Sequence, residues 1–323
     1  MGPKFKAPRK PREEIMNDLR EEATSNSRHW HHEICPPHTR PLSPFSLVFY
    51  NIIFMQISQG VEEKKIVIKG LKTNYKIAGK GLPFLILHGW GSSSDSWVSV
   101  QKQISEQGFE VIVPDFPGFG KSPTPKEPWN VDSYVNWLND FIIEINKSGS
   151  DFTEPFFLLG HSFGGRIAIK FAVKYSEKIQ SLILCSSAGI KPEVGLQQEI
   201  FYYLARIGDY LFSQKPFRRF KNTARNIFYK AIRRKDYLMA NGVMKETIKN
   251  ILEEDLLDYL SKVKTQTLIL WGKLDKMAPV KYAYIMKEKI PNSKLIILPK
   301  VGHSPQLDIP EKLSQTLIQF LKL

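Results

Sequence analysis

The sequence predicts an α/β fold: a mostly parallel, eight-stranded sheet flanked by helices, with a helical cap inserted after strand 6. Three observations carry that prediction. From Lys64 onward, short apolar runs alternate with amphipathic stretches of helical period, which is the texture of buried parallel strands joined by helices on both faces of a sheet. One stretch, from about residue 191 to 262, breaks the alternation with helical texture and no good strand. The chain of 323 residues, 42% hydrophobic, is long enough to bury the core of one large domain, or of one domain with a sizeable insertion.

The elements follow in order. Residues 65–69 and 74–78 read as an opening hairpin and 83–87 (PFLIL) as a buried strand. A helix near 97–106 leads to a strand at 110–113 (EVIV), and a helix near 131–146 leads to a strand at 156–159. Residues 164–175 have helical texture, and 181–184 form the apolar run of a sixth strand. Beyond the interruption come a strand at 267–270, a helix at 280–289, a strand at 294–298 and a closing helix at 311–321. The expected division is an N-terminal extension at 1–60, core at 61–190, a helical cap at 191–262 and core again at 263–323. An insertion between two sheet strands most simply lies over their carboxyl ends, where reactive groups gather in such a sheet.

The extension shows neither helical nor strand period over any long window, so little packed structure is expected there. Its apolar run at 45–57 is shorter than the roughly 20 residues of a spanning helix, carries Asn51 and Gln56, and lies too far along the chain for an ordinary signal peptide. Met55 stands just before ordered patterning begins and is a candidate alternative start. His29, His31, His32, Cys35 and His38 are ligand-type residues at short spacing, but a Pro-rich coil offers nothing to make them converge on an ion, so no metal is expected. With Cys35 and Cys185 the only cysteines, a disulfide framework is poorly supported and a reducing, cytoplasmic setting is the default.

The formal charge of +14 suits an anionic partner, yet net charge speaks to association rather than chemistry. Part of it falls in 206–235, where ten cations face the single acid Asp209, interleaved with Tyr210, Phe212, Phe217, Phe220, Phe228 and Tyr229. Two readings stay open. In one the aromatics pack the cap onto the core while the cations remain solvated. In the other the surface associates weakly with an anionic membrane. No recognised nucleic-acid module accompanies the charge, and no nucleic-acid partner is expected.

The chemistry is written at three strand ends. After the strand at 156–159 comes Gly160-His161-Ser162-Phe163-Gly164-Gly165, a G-x-S-x-G match at a junction of strand and helix, the context this motif needs. The turn is tight enough to strain its nucleophile; Gly160 and Gly164 sit where a side chain would clash, and the Ser162 hydroxyl is pushed up for attack. A serine hydroxyl needs a base that titrates near neutrality. His303, late in the chain and in a loop that follows a strand, is the candidate general base and acid. Asp275, after the 267–270 strand, is the carboxylate expected to fix the imidazole tautomer, and the order Ser, Asp, His suits this topology.

Two donors are needed for the oxyanion of a tetrahedral intermediate. The backbone N–H groups of Phe163 and of Trp90, within His88-Gly89-Trp90-Gly91, are the candidates. Gly89 and Gly91 are the glycines of that loop, and the side chains of Trp90 and Phe163 would line the acyl pocket. His161 neighbours Ser162 on a sharp turn and is expected to point elsewhere, in a structural role. His88 is expected to shape the donor loop through its ring hydrogen bonds. Asp115 competes with Asp275 as the acid, but its expected role is fixing a turn through bonds to backbone. Cys185 reads as core packing.

Together HGWG at 88–91, PDFPGFGKS at 114–122, GHSFGG at 160–165, WGKLD at 271–275 and VGHS at 301–304 resemble the cap-bearing branch of the α/β-hydrolase superfamily, from roughly residue 64 to the C-terminus. The resemblance implies the α/β-hydrolase fold and hydrolysis of a small-molecule acyl substrate through an acyl-enzyme, with no metal or organic cofactor. Such a fold hosts many activities. Ser162 in place of an aspartate speaks against family epoxide hydrolases and haloalkane dehalogenases, and GHSFGG does not match the G-G-S-W-G elbow of the prolyl aminopeptidases. Carbon–carbon bond hydrolases usually carry a Trp just after the catalytic His, where this chain has Ser304 and Pro305. The expectation is therefore a serine hydrolase of carboxylic esters or thioesters. Its alternatives are a carbon–carbon bond or lipid hydrolase of the same fold, and a ligand-binding receptor or carrier on the same scaffold.

Overall fold

The apolar runs form strands whose side chains divide between two layers. The structure, a computed structural model, describes residues 60–148, 152–191 and 242–322. Its strands are β1 (Val61–Ile68), β2 (Leu71–Ala78), β3 (Leu82–Leu87), β4 (Phe109–Pro114), β5 (Phe156–His161), β6 (Ile179–Cys185), β7 (Thr267–Gly272) and β8 (Ser293–Leu298). They make one eight-stranded sheet in the order β1-β2-β4-β3-β5-β6-β7-β8. β2 runs antiparallel to both β1 and β4, and every other pairing is parallel. This is the sheet the sequence predicts. The hairpin strands start earlier than the apolar pattern indicates, because β1 is an edge strand whose Glu62, Glu63, Lys64 and Lys65 face solvent.

The helices are α1 (Val98–Ser105), α2 (Val131–Lys147), α3 (Phe163–Lys174), α4 (Val243–Glu253), α5 (Leu257–Leu260), α6 (Lys281–Lys289), α7 (Pro305–Asp308) and α8 (Pro310–Leu321). A 3₁₀ turn, Ser94–Trp97, precedes α1. α2 starts where Asn130 and Ser133 cap each other's backbone N–H groups, which satisfies donors that the first helical turn cannot. Alternate strand residues then choose a face. Leu85, Leu87, Leu158, Leu184, Ile269 and Trp271 pack with α2, α3 and α6, while Phe84, Ile86, Leu159, Ile183, Leu268 and Leu270 pack with α1 and α8. Each such side chain contributes roughly 1.5–3 kcal/mol by leaving water.

β4 lies on one side of β3 and β5 on the other, so the chain changes its direction of travel at β3. In open sheets of this kind that reversal leaves a crevice at the strands' carboxyl ends. The motifs noted above emerge there.

The insertion falls between β6 and β7. Residues 192–241, with the basic aromatic run, lie outside the described residues, as do the extension's apolar run and its histidine cluster. The described return from the insertion is helical. In α4, Thr247 Oγ1 accepts from Trp129 N at 3.0 Å. Its far end is tied to α3, where Arg166 Nη1 donates to Glu254 O at 2.7 Å and the buried Lys170 ammonium bridges Glu254 and Asp132. Leu256 N donates to Gly189 O at 2.9 Å, joining the two ends of the insertion. Among the described residues, no helix is long and apolar enough to cross a membrane, and no group of three His, Cys, Asp or Glu is placed to hold a metal ion.

Candidate active site

β5 ends at His161, and α3 begins at Phe163. Between them Ser162 has φ 51° and ψ −115°, a conformation that costs an L-residue about 1–3 kcal/mol. Its neighbours hold it there. Ser162 N donates to Cys185 O at 3.2 Å, and Ser162 O accepts from Gly165 N at 3.0 Å and Ala188 N at 2.9 Å. The elbow also depends on close approach: a Cβ on Gly164 would strike Leu87 O, and one on Gly160 would come within 2.6 Å of Gly164 O.

His303 Nε2 lies 3.0 Å from Ser162 Oγ, and His303 Nδ1 lies 2.8 Å from Asp275 Oδ2. A carboxylate can only accept, so Nδ1 carries the proton and the Nε2 lone pair faces the serine hydroxyl. The other carboxylate oxygen of Asp275 accepts from Met277 N at 2.8 Å and Ala278 N at 2.9 Å. The Asp275 loop is fixed in turn by Trp271 Nε1, which donates to Ala278 O at 2.7 Å, and by Leu274 N, which donates to Val301 O at 2.9 Å. Ser162, Asp275 and His303 thus meet at one point from the ends of β5, β7 and β8.

His161 turns away from Ser162, as its place on the turn leads one to expect. Its Nε2 donates to His303 O at 2.8 Å, so it steadies the backbone of the residue whose ring meets the serine. Burial, reinforced by the neighbouring His303, pushes the His161 pKa down to about 3, and the ring is neutral. Cys185 is buried below, and burial with the charge of Asp275 pushes its thiol up to about 12, so it supplies no thiolate.

The loop after β3 lies against this elbow. A Cβ on Gly89 would stand 3.3 Å from that of Ser162, and Gly91 takes the left-handed φ of 72°. Among the described residues, neither Trp90 N–H nor Phe163 N–H donates to another backbone group. The Trp90 ring meets Phe119 edge-on at 4.7 Å and Phe163 at 5.5 Å. Here the structure departs from one expectation. The Phe163 ring is buried among Phe116, Phe119 and Tyr134, because α3 turns it into the core, and only Trp90 of the pair keeps an accessible face.

His88 is wholly buried. Its Nε2 accepts from Phe116 N at 3.1 Å, and its Nδ1 donates to Gly89 O at 2.8 Å; burial lowers its pKa and keeps this neutral tautomer. Among the described residues Asp115 forms no hydrogen bond or ion pair with His303, whose Nδ1 bonds Asp275. Its carboxylate accepts from Ser94 N at 2.7 Å, Lys121 N at 2.9 Å and Asn74 Nδ2 at 3.0 Å. The bonds to Ser94 N and His303 O were not foreseen from sequence, since a backbone N–H or C=O has the same chemistry at every residue. A serine hydroxyl on a neutral imidazole, backed by a buried carboxylate, is an arrangement that can attack an acyl carbon.

The model of the α/β hydrolase fold family matches residues 83–310, a span that runs from the second residue of β3 past β8 and takes in every residue of the site. The chain belongs to the α/β hydrolase fold family. This α/β hydrolase is 30% identical over 285 residues to 2-hydroxy-6-oxo-6-(2'-aminophenyl)hexa-2,4-dienoic acid hydrolase of Metapseudomonas resinovorans, across 82% of this chain and 94% of the relative. It is 25% identical over 261 residues to the pimeloyl-(acyl-carrier protein) methyl ester esterase of Aeromonas hydrophila, across 75% of this chain and 96% of the relative. Among solved structures, a serine hydrolase involved in carbazole degradation superposes with a TM-score of 0.61 at 28% identity, covering 81% of this chain and 99% of that one. The relatives bear the names hydrolase, esterase and lipase, and this chain is an enzyme of the same fold.

Proposed function

We propose that this α/β hydrolase is a serine hydrolase that cleaves small carboxylic esters or thioesters through an acyl-enzyme. Ser162 is the nucleophile, His303 the general base and then acid, and Asp275 the carboxylate that orients it. The observation that carries this reading is the unbroken relay from Ser162 Oγ through His303 to Asp275, with bonds of 3.0 and 2.8 Å. As Oγ bonds to the acyl carbon, its proton passes to His303 Nε2. The Trp90 and Phe163 N–H groups receive the oxyanion. Collapse of the intermediate expels the alcohol or thiol, which takes the proton from Nε2. Water repeats the sequence on the acyl-enzyme and frees the acid. Besides substrate and one water, these steps draw on Ser162, His303, Asp275 and two backbone N–H groups.

A second reading has one observation in its favour. The Metapseudomonas relative is named for a substrate with a 6-oxo group and no ester, so its hydrolysis breaks a carbon–carbon bond beside a ketone. The same serine relay can attack a ketone, and Ser304 and Pro305 after His303 are the departure from the pattern usual in such enzymes. Turnover of a dienoic ketone, followed by loss of its absorbance, against turnover of p-nitrophenyl butyrate separates the two.

Ser162→Ala tests the shared core of both readings. Its kcat/KM for p-nitrophenyl butyrate should fall about 10⁴-fold or more with the circular dichroism spectrum unchanged. Retained turnover would remove Ser162 from the mechanism. A receptor or carrier on this scaffold would leave the wild type unlabelled by a fluorophosphonate.

A further inference from the structure

We infer that Asp115 is a positioning residue for the oxyanion donor loop, which it holds in register with Ser162 through the backbone of Ser94. The inference rests on the serine-hydrolase reading and on Trp90 N–H as a donor within it.

The Asp115 carboxylate is 1% exposed, and no Lys or Arg among the described residues forms a salt bridge with it. Burying an uncompensated carboxylate is costly. Here the compensation comes entirely from neutral N–H donors, and the shortest of these bonds, 2.7 Å, comes from Ser94 N. Ser94 opens the 3₁₀ turn that directly follows the donor loop. The next residue along, Phe116, donates its own N–H to His88 Nε2, and His88 Nδ1 donates to Gly89 O. Two consecutive residues at the end of β4 therefore hold both ends of segment 88–94. Between those ends the loop reads Gly-Trp-Gly-Ser-Ser, with a left-handed glycine at Gly91 and one internal turn bond, from Ser92 N to Gly89 O at 3.2 Å. A segment so glycine-rich has little conformational preference of its own. Bonds from Ser96 to Ser92 Oγ at 2.9 Å and to Ser93 O at 2.8 Å tie it to the 3₁₀ turn, and the residues after β4 hold its two ends.

Asp115 also closes a longer circuit. Lys121 N bonds the carboxylate, and Lys121 Nζ pairs with Glu63 at 2.6 Å. Glu63 pairs with the buried Lys76 at 2.7 Å, and Lys76 pairs at 2.9 Å with Asp95, the neighbour of Ser94. The circuit returns to the start of the 3₁₀ turn. Holding the 118–122 turn is one of its effects; the bond to Ser94 reaches a separate segment and fixes the loop that carries Trp90.

Two variants break this bond from opposite sides. Asp115→Ala removes the acceptor. Ser94→Pro removes the donor; Ser93 already has φ −151° and ψ 177°, as a residue before proline prefers, and the first position of a helical turn accepts proline. With p-nitrophenyl butyrate, each should lower kcat about 10- to 100-fold, less than deletion of an oxyanion donor, with KM changed less than about two-fold. Affinity for a trifluoromethyl ketone, which forms an oxyanion on serine, should fall by a similar factor, while the acid limb of the pH–rate profile stays in place. The inference is overturned if folded Asp115→Ala or Ser94→Pro keeps the wild-type kcat. It is equally overturned if the activity lost only matches the unfolded fraction seen by circular dichroism, or if the acid limb moves. Should Asp115→Ala fail to fold, Ser94→Pro, with Asp115 still bonded to Lys121 and Asn74, decides the matter. An active Ser162→Ala would sink the serine-hydrolase reading instead, so the two failures are distinct.

Discussion

On one side of the site, Ser162 and the loop around Trp90 are held by buried groups at the ends of β3, β4 and β5, including the wholly enclosed His88 and Asp115. On the other, Asp275 and His303 sit on loops after β7 and β8, and the residues flanking Asp275 reach into solvent, with Leu274 57% and Met277 64% exposed. In the proposed mechanism the first side has to hold backbone N–H groups within tenths of an ångström of a charge that exists only in the transition state. Nothing but the surrounding packing can place them. The second must deliver an imidazole nitrogen to a hydroxyl, and two hydrogen bonds, one at each ring nitrogen, locate the ring wherever the loops carry it. Lesions on the loop-borne side, where Asp275 is itself buried but its neighbours are not, should thus cut turnover with little loss of stability, and lesions on the side packed into the sheet should lower both.

The widest separation of the two effects is expected for Asp275→Asn. The amide oxygen can still accept from Met277 N and Ala278 N, so the loop keeps its anchors. The amide nitrogen then faces His303 Nδ1, which has to accept, and the proton moves to Nε2 where the serine needs a lone pair. Turnover should fall by about 10⁴ through this tautomer change, with a melting temperature close to wild type. A melting temperature that collapses with the activity would erase the contrast between the sides.

Gly164→Ala probes the buried side. The added methyl group meets the Leu87 and His88 carbonyl oxygens, which belong to the strand end and donor loop rather than to a side chain that could swing away. Overpacking of this kind costs about 1–3 kcal/mol, and the strain falls on the elbow. The midpoint of urea unfolding and kcat should drop together. A variant that loses activity at unchanged stability would show that the elbow has more room than its contacts allow.

How far each side could be read in advance follows from the range of the forces involved. The interior strands were legible because two covered faces demand unbroken apolar runs, whereas the exposed Glu62 to Lys65 portion of β1 had no apolar signal to give. Ser162 was readable because an elbow is a local event, written in two glycines and the junction of a strand with a helix. Asp275 and His303 followed from chain order at strand ends. The bonds that hold each side were not readable, since Asp115 to Ser94 N on one and Trp271 to Ala278 O on the other join a side chain to an anonymous backbone atom. Phe163 was misread as a pocket wall because its motif position specifies where its N–H points and leaves the ring to the packing of α3.

His161 bridges the two sides, and its effect is expected to be the smallest and the most dependent on pH. It stands on β5, beside Ser162, and its Nε2–H grips the backbone of His303. In the folded chain it takes up a proton only near pH 3, against an ordinary value of 6.5. As pH falls below 6.5 the unfolded chain binds a proton that the folded chain refuses, so stability is lost progressively down to about pH 3; above 6.5 the group adds no pH dependence. The slope from this one residue is at most about 1.4 kcal/mol per pH unit. His161→Gln can present an amide N–H to the same carbonyl and has nothing to titrate. Urea unfolding at pH 7, 5 and 4 should give the variant a shallower decline than the wild type. Parallel declines would mean that the ring is already open to protons in the folded state, and that solvent reaches two strands further into the sheet, from β7 to β5, than the burial of His161 indicates.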